Sequence, residues 1–130
     1  MLRVYVRLRW PLARFVVRDL SMQPVLCPGD RVLVWQWASW LGGIRRGDVV
    51  VVRDPQRPDL HLVKRVGARP GESHAQLADG DGFVVLGDDA SRSRDSRAFG
   101  RVPPRAILGR VFWRYLPGPR RGRVGPGVPA

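Results

Sequence analysis

Apolar side chains in this chain recur at every second position in short runs, and no stretch holds a helical period for long. The alternation predicts strands at Phe15–Arg18, Arg31–Trp37, Asp48–Arg53, Leu60–Val66, Phe83–Leu86 and Ile107–Tyr115. Between them lie Pro28-Gly29, Arg46-Gly47, Pro70-Gly71 and Asp79-Gly80-Asp81-Gly82, where proline fixes φ and glycine accepts the positive φ that tight turns use. The expected class is all-β, and 130 residues with 44% hydrophobic content have room for one domain with a modest core. Trp35, Trp37 and Trp40 are expected in core and loop packing, with a membrane-facing tryptophan edge as the alternative.

The two ends read differently from the middle. Val4-Tyr5-Val6-Arg7-Leu8-Arg9-Trp10-Pro11-Leu12 suits a strand or an interfacial segment with aromatic anchors, and the second is preferred. Arginines break its apolar run well short of the ~20 residues that span a bilayer, so no transmembrane anchor and no signal-peptide core is expected. Residues 117–130 are rich in proline, glycine and arginine and are expected to be a disordered tail. The division predicted is therefore 1–14, a basic membrane-surface segment; 15–116, the folded domain; and 117–130, the tail.

Charge sharpens this division. The net charge is +12, and residues 101–130 carry seven arginines and no acid, while residues 1–20 carry five arginines against Asp19. Residues 21–100 hold ten arginines and Lys64 against ten acids. A nucleic-acid groove would spread its cations over the folded surface, so no nucleic-acid partner is expected, and basic ends suit an anionic membrane surface instead. The lone Cys27 permits no internal disulfide. His61 and His74 stand apart and receive no role, so no metal or cofactor is expected.

Of the 23 cationic residues, only Lys64 is lysine. A guanidinium keeps its proton at any ordinary pH, whereas an ammonium buried among apolar groups can lose it and become a base. Strand alternation sends Leu62, Lys64 and Val66 to one face and Val63 and Arg65 to the other, so Lys64 points with apolar neighbours. Ser21 opens Ser21-Met22-Gln23-Pro24, where proline forces the chain out of the preceding strand and presents a hydroxyl at the strand's end. The third segment is the polar loop Gly87-Asp88-Asp89-Ala90-Ser91-Arg92-Ser93-Arg94-Asp95-Ser96-Arg97-Ala98-Phe99-Gly100.

Together these segments resemble the signal peptidase I family of S26-type Ser/Lys serine peptidases. In that family a Ser-Met-x-Pro box, a Lys-Arg strand and a Gly-Asp-Asn…Ser-x-Asp-Ser-Arg-x-x-Gly box follow in this order. The resemblance covers about residues 15–116 and implies the single-domain β fold shared with the SOS repressors. It implies Ser21 as nucleophile and Lys64 as general base, within a box completed by Met22 and Pro24. It further implies that Ser93 orients the lysine amine, that Asp95 pairs with Arg97, that Asp88 pairs with Arg65, and that the Ser21 N–H serves the oxyanion.

The implied function is endoproteolytic removal of leader peptides from precursor proteins, without a cofactor, at the bacterial cell membrane. One alternative is a small anchorless protease dedicated to one precursor, such as the nickel-type superoxide dismutase maturases, which would be cytoplasmic. Self-cleavage of the SOS-repressor kind ranks below these, since no helical DNA-binding domain precedes the strands. From another class, the alternative is a non-catalytic basic binding module. Two residues depart from the family pattern. Asp89 stands where asparagine is usual, and Asp19 stands where a small residue or serine often completes the oxyanion hole, so Asp19 either points away or slows turnover.

Overall fold

The computed structural model describes residues 2–9, 11–36 and 43–126, with side chains described from residue 11 onward. Eight strands form one antiparallel sheet among these residues: β1 (Leu2–Arg9), β2 (Leu12–Val17), β3 (Arg31–Trp35), β4 (Val49–Arg53), β5 (His61–Ala68), β6 (Val84–Leu86), β7 (Ile107–Leu116) and β8 (Gly122–Arg123). The order is β1-β2-β3-β7-β4-β5-β6, with β8 on β7. Leu2 of β1 also pairs with His61 of β5, which closes the path on itself. The expected all-β, single-domain class therefore holds, with one short α-helix among the described residues, α1 (Ser96–Phe99), in the loop after β6.

Two apolar clusters explain why the central strands read as they do. Val49, Val51 and Val63 join Phe15, Val17, Met22 and Leu26 in one, while Val50, Val52, Leu62 and Val66 join Val85 and Ile107 in the other. The unbroken run Val49–Val52 is thus buried on both faces, which suits β-branched side chains. On β5 the predicted alternation is observed, Leu62 and Val66 facing one cluster and Val63 the other.

Both ends depart from expectation. The segment of β1 and β2 is not apart from the domain, because these strands pair antiparallel and β2 pairs in turn with β3. Its alternation, equally consistent with strand, is decided by the partners available on either side. Nor are residues 117–126 a loose tail. A turn at Gly118–Arg120 leads into β8, Val124 is buried in the first cluster, and Arg120 donates to Asp30 at 2.8 and 3.0 Å. Composition alone misjudged this stretch, since a carboxylate and a core vacancy supplied from distant chain outweigh local proline and glycine. Trp37 and Trp40 lie outside the described residues, and Trp35 packs partly buried against the second cluster.

Candidate active site

Ser21 sits in the loop that leaves β2. The neck of this loop is closed by two backbone bonds, Val17 N–H to the Asp30 carbonyl at 2.9 Å and Gly29 N–H to the Val17 carbonyl at 2.7 Å. Met22 and Leu26 anchor it by burying their side chains completely, and the Leu26 N–H donates to the Met22 carbonyl at 2.9 Å. Gly29, at φ 93°, makes the return turn that the Pro28-Gly29 signal predicted.

The loop between β6 and β7 is fastened over Ser21 from the other side. The Asp89 N–H donates to the Ser21 carbonyl at 2.8 Å. A Cβ added at Gly87 would lie 2.2 Å from Ser93 Oγ and 2.8 Å from the Ser21 carbonyl oxygen, so glycine permits the approach of the serine loop. Asp89, the departure from the family's asparagine, uses its backbone here and turns its carboxylate to the Ser91 hydroxyl at 2.7 Å.

Lys64 is 1% exposed, and its Nζ donates to Ser93 Oγ at 3.1 Å. Ser93 in turn donates to Asp95 at 2.6 Å. Asp95 also accepts from the Gly87 N–H, the Arg97 N–H and the Arg97 guanidinium, and these bonds hold its carboxyl at about 2 against the opposing effect of burial. An ionised carboxylate only accepts, so the Ser93 proton must face Asp95, and the Ser93 oxygen is left to accept from the lysine. A neutral Lys64 amine therefore carries its lone pair away from Ser93. Burial holds Lys64 below its ordinary value, with Asp19 and Asp95 opposing the shift and Arg97 and Arg94 adding to it.

The remaining residues of the serine loop each have a visible job. Asp95 caps α1, Ser96 Oγ accepts from the Val85 N–H at 2.9 Å, and Gly100 ends the helix at φ 80°. Asp88 grips Arg65 through two bonds of 2.8 and 2.9 Å, while the same guanidinium donates to the Gly47 carbonyl at 2.7 Å. The structure thus brings together Ser93 with Lys64, Asp95 with Arg97, and Asp88 with Arg65.

The Ser21 hydroxyl does not donate to Lys64. It donates to Asp19 Oδ1 at 3.1 Å, and the Ser21 N–H points at the same oxygen at 3.3 Å. Asp19 thus points toward Ser21 rather than away. Although burial works to raise it, neighbouring positive charge, Lys64's included, and the Ser21 N–H hold the Asp19 carboxyl below its ordinary value. Sequence reasoning also missed Asp54 and Arg94. Buried Asp54 accepts from the Arg94 guanidinium and from the N–H groups of Gln56 and Arg57 at 2.8 and 3.1 Å. The signal was Asp54-Pro55, since an aspartate before proline favours a turn that its own carboxylate closes.

Asp19, Asp54, Arg57, Leu60, Leu62, Lys64, Arg92 and Arg94 line a hollow of about 170 Å³ beside the amine. Among the described residues, no three His, Cys, Asp or Glu side chains are arranged to hold a metal ion. None of their helices is long and apolar enough to cross a membrane.

Comparison with known proteins shows the family of the chain. The family model for signal peptidase, peptidase S26, matches residues 2–80 and 73–116. The chain is 36% identical to mitochondrial ATP-independent inner membrane protease subunit 1b of Arabidopsis thaliana, over 82% of this chain and 71% of that protein. It is 35% identical to mitochondrial inner membrane protease subunit 2 of Schizosaccharomyces pombe, over 83% of this chain and 67% of that one. With signal peptidase I of Leptolyngbya laminosa the identity is 31%, over 88% and 73%. A family model spanning the sheet from β1 to β7, over the loops that hold Ser21 and Ser93, places this chain in the S26 signal peptidase family of proteases.

Proposed function

We propose that this protease removes leader peptides from precursor proteins with Ser21 as nucleophile and Lys64 as general base. The observation that carries the reading is the buried amine on the Ser93–Asp95 relay, beside the loop of Ser21. Once the Ser21 hydroxyl is released from Asp19, the neutral amine takes its proton as Oγ attacks the scissile carbonyl. The Ser21 N–H then donates to the oxyanion. Collapse of the tetrahedral intermediate breaks the C–N bond, the Lys64 ammonium protonates the departing amine, and an ester to Ser21 remains. Water, deprotonated by the same amine, hydrolyses that ester. No step calls for a cofactor. Met22 and Pro24 hold the Ser21 loop in place, while Asp95, Arg97, Asp88 and Arg65 hold the serine-rich loop and β5.

The precursor is read as an extended strand with small side chains near the cut. Relatives named for the inner membrane favour action at a membrane over trimming of one cytoplasmic precursor. Exposed Leu20 and Val25 flank the nucleophile loop, with exposed Arg18 and Arg31 close by in sequence, and these suit an anionic bilayer surface. A basic binding module would leave the Lys64–Ser93–Asp95 relay without a purpose.

The test is cleavage of a panel of secretory precursors and small-residue peptides by wild type, Ser21→Ala and Lys64→Arg, with folding of each checked by circular dichroism. Cleavage by wild type alone is expected, and its product ends name the preferred residues. A folded Ser21→Ala that still cuts would sink the mechanism.

A further inference from the structure

Asp19 is not accounted for by the reaction just described. Its carboxylate sits on the two protons the reaction needs, that of the Ser21 hydroxyl and that of the Ser21 N–H. An oxyanion and a carboxylate oxygen ask for the same donors, so the two compete for one place. Where the first accepts, the second is excluded.

We propose that Asp19 is a built-in occupant of the oxyanion position, a positioning residue that holds Ser21 away from Lys64 until substrate displaces it. The inference rests on the Ser21/Lys64 reading above. The resting arrangement is stable for a plain reason: an anion accepts from a hydroxyl and an amide N–H better than a neutral carbonyl does. Displacement also has somewhere to lead. Asp19 lines the same hollow as Arg57, Arg92 and Arg94, with exposed Arg57 and Arg92 able to receive the displaced carboxylate. Asp54 in that hollow is already held by Arg94.

The position also couples the latch to the base. Lys64 faces Asp19, Asp54, Arg57, Arg92 and Arg94 in the hollow, and Asp95 and Arg97 beyond Ser93. Asp19 and Asp95 favour the ammonium among these, so the resting carboxylate both occupies the oxyanion position and helps keep the lysine from acting as a base. A substrate that moves Asp19 frees the serine proton, clears the oxyanion site and favours the neutral amine that can accept a proton.

The single lysine makes this measurable without a substrate, because lysine labelled with carbon-13 at Cε gives one side-chain resonance. Wild type, Asp19→Asn and Asp19→Ser are compared by titrating that resonance and by cleavage of a fluorogenic peptide with alanine before the scissile bond. The amide of Asp19→Asn keeps the shape, removes the charge and offers an N–H to the oxyanion. We expect kcat/KM to rise about tenfold in both variants and the Lys64 resonance to titrate at a lower pH than in wild type. The serine variant stands in if the amide fails to fold. Slower or unchanged cleavage, or an unmoved titration, overturns the role given to Asp19. That failure is separable from failure of the dyad, since Ser21→Ala and Lys64→Arg would remain inactive in the first case and a cutting Ser21→Ala marks the second.

Discussion

Adjacent residues of β5 bury two cations, Lys64 at 1% exposure and Arg65 at 4%, on opposite faces of the strand. Their surroundings differ in one respect that matters. Arg65 meets a carboxylate through two parallel bonds and a backbone carbonyl as well. Lys64 meets a hydroxyl whose proton is already committed to another residue. A guanidinium cannot escape burial by losing its proton, so its face of the sheet must supply an anion. An amine can, and burial pushes it that way. One face holds the strand in place, while the other holds an amine that burial pushes toward its neutral form.

Exchanging the chemistry of the two faces is the most severe test of this contrast. Lys64→Arg keeps the charge and removes the base of the proposed reaction, and we expect cleavage to fall by ~10³-fold or more with the fold intact. Peptide cleavage against a thermal melt of the same sample separates the two effects, and retained activity would mean that Lys64 is not the base. On the other face, Asp88→Ala leaves Arg65 buried without its carboxylate and should cost about 3 kcal/mol of stability. Urea unfolding measures it, and a loss under half of that would show that the Gly47 carbonyl suffices.

Ser93→Ala probes the relay. Losing one bond to the amine is worth roughly a tenfold fall in kcat. The rate should still rise with pH to a plateau as Lys64 deprotonates, below the ordinary lysine range because burial lowers its value. An unchanged plateau would remove Ser93 from the orientation of the amine.

The smallest effect expected is on acid stability. Asp95 titrates at about 2 in the folded chain against 3.8 as its ordinary value. Its depressed value means that its stabilisation is complete above the ordinary value and is lost as pH falls through that range toward 2. Asp95→Asn should therefore be less stable than wild type at pH 6, with the gap closing as the pH drops. Melts at several pH values check this, and a constant gap would mean that charge on Asp95 is not what holds the loop.

The candidate site was legible in the sequence because each of its signals is local. A lone lysine in an apolar alternation, a serine ahead of proline, and a polar loop bounded by Gly87 and Gly100 need no distant partner to be recognised. Strand positions were equally open to reading, since period-two alternation and turn residues act over a few positions. What stayed hidden depends on groups far apart in the chain. The last residues looked too rich in proline and glycine to fold, yet Arg120 reaches Asp30 and Val124 completes a cluster begun at Ala13. The first strand was ambiguous until β2 and His61 of β5 paired with it. Asp19 was recognised as out of place, but only the turn after β2 decided that its carboxylate faces Ser21. Local patterns are set by backbone sterics and side-chain period, which sequence carries directly. The direction of one carboxylate and the fate of one arginine-rich end are set by competition among distant partners, which exists only once the sheet has closed.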